Sequence, residues 1–435
     1  MDRAFSEGGT PVASSFRRLA SGPFGRLLLP AVVLQSVLIG GGYATGREIV
    51  SYGARYGPRG WIAVAAIFVG FTVTAFFTFE VARRFRAYEY KSFIRQLIGA
   101  AWPAFDLLFA TMAIVVIAVM ASAAANILEE TLGVPPVVGT GAVVVAVGVL
   151  TYRGASVIEA FKSAGTSLLY VAYLVFAGLV LSVRWDAVRN VFGGSEAASA
   201  SLDAVSGAAA AAPGAPILAI LATGILYVGY NLAVYPAVLF TLHRQRTRAD
   251  TSIAALVSGL LMTIPFALTY LCLMGFYPDP DVFDAPVPWL PMLRSLESPF
   301  VVGMFGIVMG WTLLETSVGL IHALLDRIDA DLARVDAGPL RRVDGLSSLQ
   351  SGLLGAGVLL GAALLSQVGI IALVSRGYTY MGYAFIALYG VPLLTVGAWK
   401  VLGNARCGQK EPDGSAPATD AGPRDADERR DREHP

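Results

Sequence analysis

Long apolar stretches separated by short polar segments make up almost the whole chain. Ten of them are long enough to cross a bilayer as helices: about 27–52, 60–80, 102–127, 135–151, 164–183, 214–241, 252–276, 300–325, 349–368 and 378–400. The pattern predicts an all-α polytopic membrane protein. Two of the ten stretches depart from a plain span. The first carries Gly40-Gly41-Gly42-Tyr43-Ala44-Thr45-Gly46-Arg47-Glu48 where its helix should still be running. The sixth carries Tyr227-Val228-Gly229-Tyr230-Asn231-Leu232-Ala233-Val234-Tyr235-Pro236 in mid-span.

A glycine triplet weakens a helix by about 1 kcal/mol per residue relative to alanine. Broken backbone is not tolerated against lipid, so such a break must be buried in protein or line a cavity. At 1.5 Å per residue from Leu27, Gly40 lies about 20 Å deep, past the middle of a core about 30 Å thick. Amides from Tyr43 onward then open an outer half-helix whose positive end suits an anionic group such as a carboxylate. Close helix packing by small residues is the alternative, but three glycines followed by Gly46 and a charged pair favour a break. In the sixth stretch Pro236 cannot donate to the helix, which frees a carbonyl near Leu232. Gly40, Gly41, Gly42, Tyr43, Thr45, Tyr230 and Asn231 are the candidate substrate-binding residues.

Five spans separate the two breaks, an odd number, so the second half enters from the opposite face. A 5+5 inverted repeat with broken helices 1 and 6 is expected, repeat 1 at about 24–183 and repeat 2 at about 214–400. The loop Tyr88–Leu97 has apolar residues at helical spacing among charges and reads as an interfacial helix. Its counterpart, Asp279–Pro299, holds the short apolar run Trp289-Leu290-Pro291-Met292-Leu293. Residues 1–22 and 404–435 are polar and poor in large apolar side chains, and read as disordered cytoplasmic extensions of a transporter domain at 23–403.

Composition agrees with this pattern: 55% of residues are hydrophobic, 14% are charged, and mean hydropathy is +0.63. A net charge of +1 says nothing about partners; the expected ones are the bilayer and a small molecule, with no nucleic acid and the oligomeric state open. One set of alternate loops with the near-terminal segments carries 21 Lys and Arg, and the other set carries 6, which predicts both termini in the cytoplasm. Arg outnumbers Lys 28 to 4 in an Ala- and Gly-rich chain, a hint of a GC-rich prokaryotic genome and hence of a prokaryotic plasma membrane. Arg17-Arg18 before an apolar run imitates a signal peptide, but nine more spans follow. Two cysteines and three scattered histidines suggest neither a disulfide framework nor a zinc site. No nucleophile–base pair or phosphate loop marks an enzyme, and no strand precedes the glycine run as a dinucleotide fingerprint requires. A channel or a sensor is a third class, without a repeated filter motif or an output domain to support it.

Charged residues inside spans are the remaining candidates. Glu315 lies about 22 Å in from Phe300, where a charge costs about 3 kcal/mol. It shares a helical face with Thr312, Gly319 and His322; Glu315 and His322 form a possible proton relay, and a single buried pairing accounts for Glu315 equally well. Arg47 and Glu48 lie about 30 Å from Leu27, at the outer interface, where snorkelling or a local salt bridge is the default. Tyr378, Tyr380 and Tyr383 read as an interfacial aromatic belt, and Glu80 with Arg83 and Arg84 as an ion pair at helical spacing.

Ten spans with a glycine-broken first segment and Gly229-Tyr230-Asn231 in the sixth resemble the amino acid–polyamine–organocation superfamily. More narrowly, Gly40-Gly41-Gly42-Tyr43-Ala44-Thr45-Gly46-Arg47-Glu48-Ile49 resembles the YkvI-like membrane proteins, regarded as amino acid permeases. The likeness covers about residues 24–400. It implies the LeuT-type fold and a secondary transporter of a small zwitterion, an amino acid in the first instance. In sodium-coupled members, a hydroxyl pair in helix 8 joins helix 1 carbonyls around a sodium ion; by motif these are Thr316 and Ser317 with the carbonyls of Ser36, Ile39 and Leu313. Hydroxyls that bond their own helix four residues back are the plainer explanation. Sodium-independent relatives often carry a lysine in helix 5, and the stretch 164–183 has none, which favours the ion. The resemblance also implies that Arg47, with Glu48 beside it, closes an outer gate or meets the substrate carboxylate. Proton coupling through Glu315 or Glu48 is the alternative to sodium. No other cofactor is expected.

Overall fold

The computed structural model describes residues 22–39, 43, 45–152, 155–193, 215–335 and 348–402. Gly40, Gly41, Gly42 and both terminal extensions lie outside the described residues. All regular structure among the described residues is helical. In chain order the elements are α1 (Leu29–Leu38), α2 (Arg47–Tyr52), α3 (Trp61–Phe85), α4 (Tyr90–Ile98), α5 (Trp102–Leu132), α6 (Pro136–Tyr152) and α7 (Ala155–Phe192). They continue with α8 (Ile217–Asn231), α9 (Arg248–Met274), α10 (Pro280–Phe283), α11 (Trp289–Arg294), α12 (Pro299–Val335), α13 (Ser348–Ser366) and α14 (Tyr378–Phe385).

Seven helices are long and apolar enough to cross a membrane, and three shorter apolar ones lie at Phe24–Leu38, Pro136–Leu150 and Leu353–Ser366. Each of the ten apolar stretches has one of these helices. Their outward side chains are apolar: Leu107, Val137, Leu218, Phe300 and Trp399 are all at least 70% exposed. That surface is stable only against lipid, and the chain is an all-α polytopic membrane protein.

Local chemistry sets the helix ends. α5 stops at Gly133, which takes φ +67° and returns its N–H to Glu129. α9 starts in a capping box: the Thr247 hydroxyl accepts from the Asp250 amide, and the Asp250 carboxylate accepts from the Thr247 amide. Glu80 and Arg83 pair at 2.7 Å, as their spacing predicts. The loop helix α4 buries Phe93, Ile94 and Leu97 against the bundle.

The two breaks take different forms. After α1 the backbone leaves helical geometry at Ile39 (φ −76°, ψ 73°) and re-enters at α2 through Gly46. In the sixth stretch the chain does not unwind. α8 passes at Leu232, still in right-handed helical geometry, into the tighter 3₁₀ segment Leu232–Arg244, which contains Pro236. The Asn231 amide donates to the Tyr227 carbonyl at 2.8 Å and so satisfies an acceptor at the junction.

Packing is reciprocal. α1 lies on α9 and on Leu232–Arg244, α8 lies on α3, and α3 and α9 form the most extensive pair at the centre. Glycines permit the closest approaches: a Cβ at Gly224 of α8 would come within 2.8 Å of the Ala63 carbonyl and the Ala66 methyl of α3. A Cβ at Gly259 of α9 would collide with Thr72 of α3. A second group forms around α12, which packs on α5 and α7.

Candidate functional site

The turn that closes the first break places the candidate residues. Gly46 adopts φ +81°, and a Cβ there would lie 3.1 Å from Cδ1 of Trp289, so both the turn and the fit against α11 call for glycine. Thr45 is buried and its hydroxyl accepts from the Arg47 amide at 3.2 Å, while its carbonyl accepts from the Trp289 amide at 3.4 Å. Thr45 therefore ties the start of α2 to the loop that carries α10 and α11.

Arg47 belongs to the same tie. Its Nη1 donates to the carbonyls of Phe283 (2.5 Å) and Ala285 (3.2 Å), and the residue is 4% exposed. The snorkelling position expected of Arg47 and Glu48 is thus corrected: both are buried in protein, Arg47 under this loop and Glu48 against Tyr230. Val282, Phe283, Val287, Trp289, Leu290, Met292 and Leu293 of the loop are themselves buried. Beside it lies a cleft of about 680 Å³ lined in part by Glu130, Arg184, Asp279, Asp281, Ala285 and Arg294.

Glu48 turns the other way. Its Oε2 accepts from the Tyr230 hydroxyl at 2.5 Å, which joins the outer half of the first segment to the end of α8. Three further tyrosines surround this bond. The Tyr230 ring lies 5.6 Å from Tyr52, 5.3 Å from Tyr227 and 4.8 Å from Tyr378, and Tyr52 lies 5.5 Å from Tyr227. Phe71 and Phe266 back Tyr227. Tyr43 is buried, with Tyr227, Tyr173 and Glu48 within electrostatic reach of its hydroxyl. The hydroxyls of Tyr43 and Tyr227 and the indole N–H of Trp289 are buried without a well-formed hydrogen bond. A carboxylate, aromatic faces and buried hydroxyls therefore meet where the outer half of the first segment joins the end of α8.

Sequence reasoning missed Tyr52, Tyr227 and Tyr378 as members of this site. Tyr52 follows Glu48 by four residues, and that helical spacing was the available signal. Tyr378 was expected in an interfacial belt with Tyr380 and Tyr383. The structure corrects this for Tyr378, which is buried against Tyr230, while Tyr380 and Tyr383 remain exposed.

The proposed ion ligands stand on α1 and its C-terminal end and on α12. Ser36 sits on an exposed face of α1, its hydroxyl donating to the Val33 carbonyl at 2.9 Å. Ser317 is buried on α12 and its hydroxyl donates to the Leu313 carbonyl at 2.8 Å; Thr316 is half-buried. The Ser317 oxygen keeps lone pairs that suit a hard cation. The main neighbours of α1 are α9 and Leu232–Arg244, and those of α12 are α5 and α7, so the two groups of ligands stand on separately packed elements. Glu315 and His322 are half-buried on α12. Asn126, a polar residue within α5, donates to the Ser122 carbonyl of its own helix at 2.7 Å.

No protein-family profile matches the chain. The uncharacterized membrane protein YkvI of Bacillus subtilis (strain 168) is 23% identical over 381 residues, spanning 83% of this chain and 94% of that protein. Among solved structures, an inward-facing conformation of Mhp1 matches with a TM-score of 0.50 at 15% identity, over 86% of this chain and 76% of Mhp1. MhsT in complex with L-phenylalanine is similar at 18% identity (85% of this chain, 91% of MhsT, TM-score 0.48). So is a substrate-bound, outward-open sodium-coupled sialic acid symporter, at 14% identity, 86% of both chains and a TM-score of 0.47. The chain shares the LeuT-type fold with Mhp1.

Proposed function

We propose that the protein is a secondary active transporter of a small zwitterionic solute, an amino acid in the first instance, working by alternating access in a prokaryotic plasma membrane with both termini cytoplasmic. The observation that carries this reading is the Glu48–Tyr230 bond, which joins the two segments that sequence marked as interrupted and sits in a buried tyrosine cluster. Discontinuous helices with polar groups at the repeat interface are how such transporters build a solute site near the bilayer midplane. The reciprocal packing of α1 on α9 and α8 on α3 supports a 5+5 inverted repeat. The Arg47 latch on the Phe283–Ala285 loop supports a closed outer gate. Sodium coupling is proposed through Thr316 and Ser317 with the carbonyls of Ser36, Ile39 and Leu313; this requires α1 to approach α12 during the cycle.

A second reading, proton coupling through Glu48, has its own support: this buried carboxylate makes no ion pair among the described residues. Uptake of radiolabelled amino acids into proteoliposomes, under an inward sodium gradient or an inward proton gradient, tests both. Sodium-dependent accumulation supports the first reading. Accumulation driven by protons alone, and lost in Glu48→Gln while solute exchange persists, moves the coupling to Glu48. Absence of accumulation and of exchange for every amino acid overturns the transporter reading for this solute class.

A further inference from the structure

We infer that the site recognises its solute by an ammonium group, with Glu48 as the counter-ion inside a cage of tyrosine rings. This rests on the transporter reading and names the group that the reading leaves open.

A carboxylate offers about four lone-pair positions, and among the described residues the one hydrogen bond to the Glu48 carboxylate is that from Tyr230. No Lys, Arg or His forms an ion pair with it among the described residues. Arg47, its neighbour in sequence, is turned to the Phe283 and Ala285 carbonyls. A buried carboxylate without a cation is costly, and a cation entering from outside offsets that cost.

The surroundings fit an organic cation rather than a bare metal ion. Rings of Tyr52, Tyr227, Tyr230 and Tyr378 pack directly on one another in four pairs, with centroids 4.8–5.6 Å apart, so a cation meets their faces only when the rings part. Aromatic faces attract a cation within about 6 Å of the ring centre, and an alkylammonium brings apolar carbons to pack on them. The hydrogen-bond inventory points the same way. A primary ammonium has three donors and no acceptor. Glu48 supplies one acceptor, and the neighbouring buried hydroxyl oxygens of Tyr227 and Tyr43, which lack a well-formed hydrogen bond among the described residues, supply two more. A site built for an organic anion would present a guanidinium here, and the nearby one is committed to the loop.

The experiment uses the purified full chain and two probe series: L-alanine, ethylamine and propionate, then L-phenylalanine, 2-phenylethylamine and 3-phenylpropionate. Binding is read by thermal unfolding and by competition in proteoliposome exchange. The zwitterion and the amine of at least one series are expected to bind, and the acid of that series is not. Glu48→Gln is expected to weaken amine binding at least tenfold, while Glu48→Asp retains part of it. Tyr227→Phe, which keeps the ring and loses an acceptor, is expected to weaken it severalfold and serves if Glu48→Gln fails to fold. Acids that bind as well as amines overturn the inference, as does unchanged amine affinity in Glu48→Gln, or in Tyr227→Phe where that variant stands in. Binding by no probe also overturns it. Amino acid exchange that amines do not inhibit leaves the transporter reading standing without this inference. Uptake of amines alone keeps the inference and removes the zwitterion from the proposed function.

Discussion

Arg47 and Glu48 are consecutive residues whose charged groups serve opposite sides of the same turn. The guanidinium is bonded to the carbonyls of Phe283 and Ala285 in the loop above, and the carboxylate to the hydroxyl of Tyr230 within the bundle. One turn of helix thus couples the loop that covers the site to the cluster that forms it.

If Arg47 holds that loop down, Arg47→Ala should release it. A Val282→Cys reporter, introduced with Cys272 and Cys407 replaced by alanine, is buried in the closed arrangement. Its labelling by a membrane-impermeant maleimide should accelerate about tenfold in Arg47→Ala, the change expected for about 1.4 kcal/mol of lost latch energy. An unchanged rate would mean that loop packing alone keeps the lid shut.

Removal of the Tyr230 hydroxyl tests the internal bond. Tyr230→Phe keeps the ring contacts with Tyr52, Tyr227 and Tyr378, so only the link to Glu48 is lost. Hydrogen bonds to charged groups contribute about 1.5–3 kcal/mol, and thermal unfolding should register a lowered midpoint. A double-mutant cycle with Glu48→Gln should return a coupling of about 0.5–3 kcal/mol; strict additivity would show that the two groups do not interact in solution.

Gly46 combines two constraints that substitution can separate. Gly46→Ala pays for left-handed backbone, about 1–2 kcal/mol, and also crowds Cδ1 of Trp289. Gly46→Asn tolerates the left-handed conformation better and isolates the crowding. The Ala variant should melt below wild type in either case, and the difference between the variants measures the backbone part.

Sodium should raise the unfolding midpoint relative to choline at fixed pH and without solute, since an ion at a hundred times its dissociation constant stabilises by about 2.7 kcal/mol. Thr316→Ala should abolish that rise. A wild-type protein indifferent to sodium removes the ion site and leaves Glu48 and Glu315 as the groups to test.

The helices were legible because their signal is local: length and hydropathy place each one without knowledge of its neighbours. The first break was legible for the same reason, through its glycines. In the sixth stretch, glycine and proline mark the place of the change but not its form. Asn231 caps the Tyr227 carbonyl and the chain tightens its winding, so no gap is needed. The tyrosine cluster was largely hidden. Tyr378 meets Tyr230 across 148 residues, and nothing in its own neighbourhood distinguishes it from the exposed Tyr380 and Tyr383. Arg47 and Glu48 were placed at an interface because depth along a helix is readable from sequence, whereas a covering loop 236 residues away is not.

The wall that Tyr378 supplies also fixes an order of events during synthesis. Glu48 and Tyr52 emerge early, Tyr227 and Tyr230 near mid-chain, and Tyr378 only with the final helical stretch, Ile370–Leu402. Contacts of such long sequence separation form late. Until that stretch enters the bilayer, a nascent chain holds Glu48 without one wall of its tyrosine cluster, so the proposed site is among the last of the described parts to be completed.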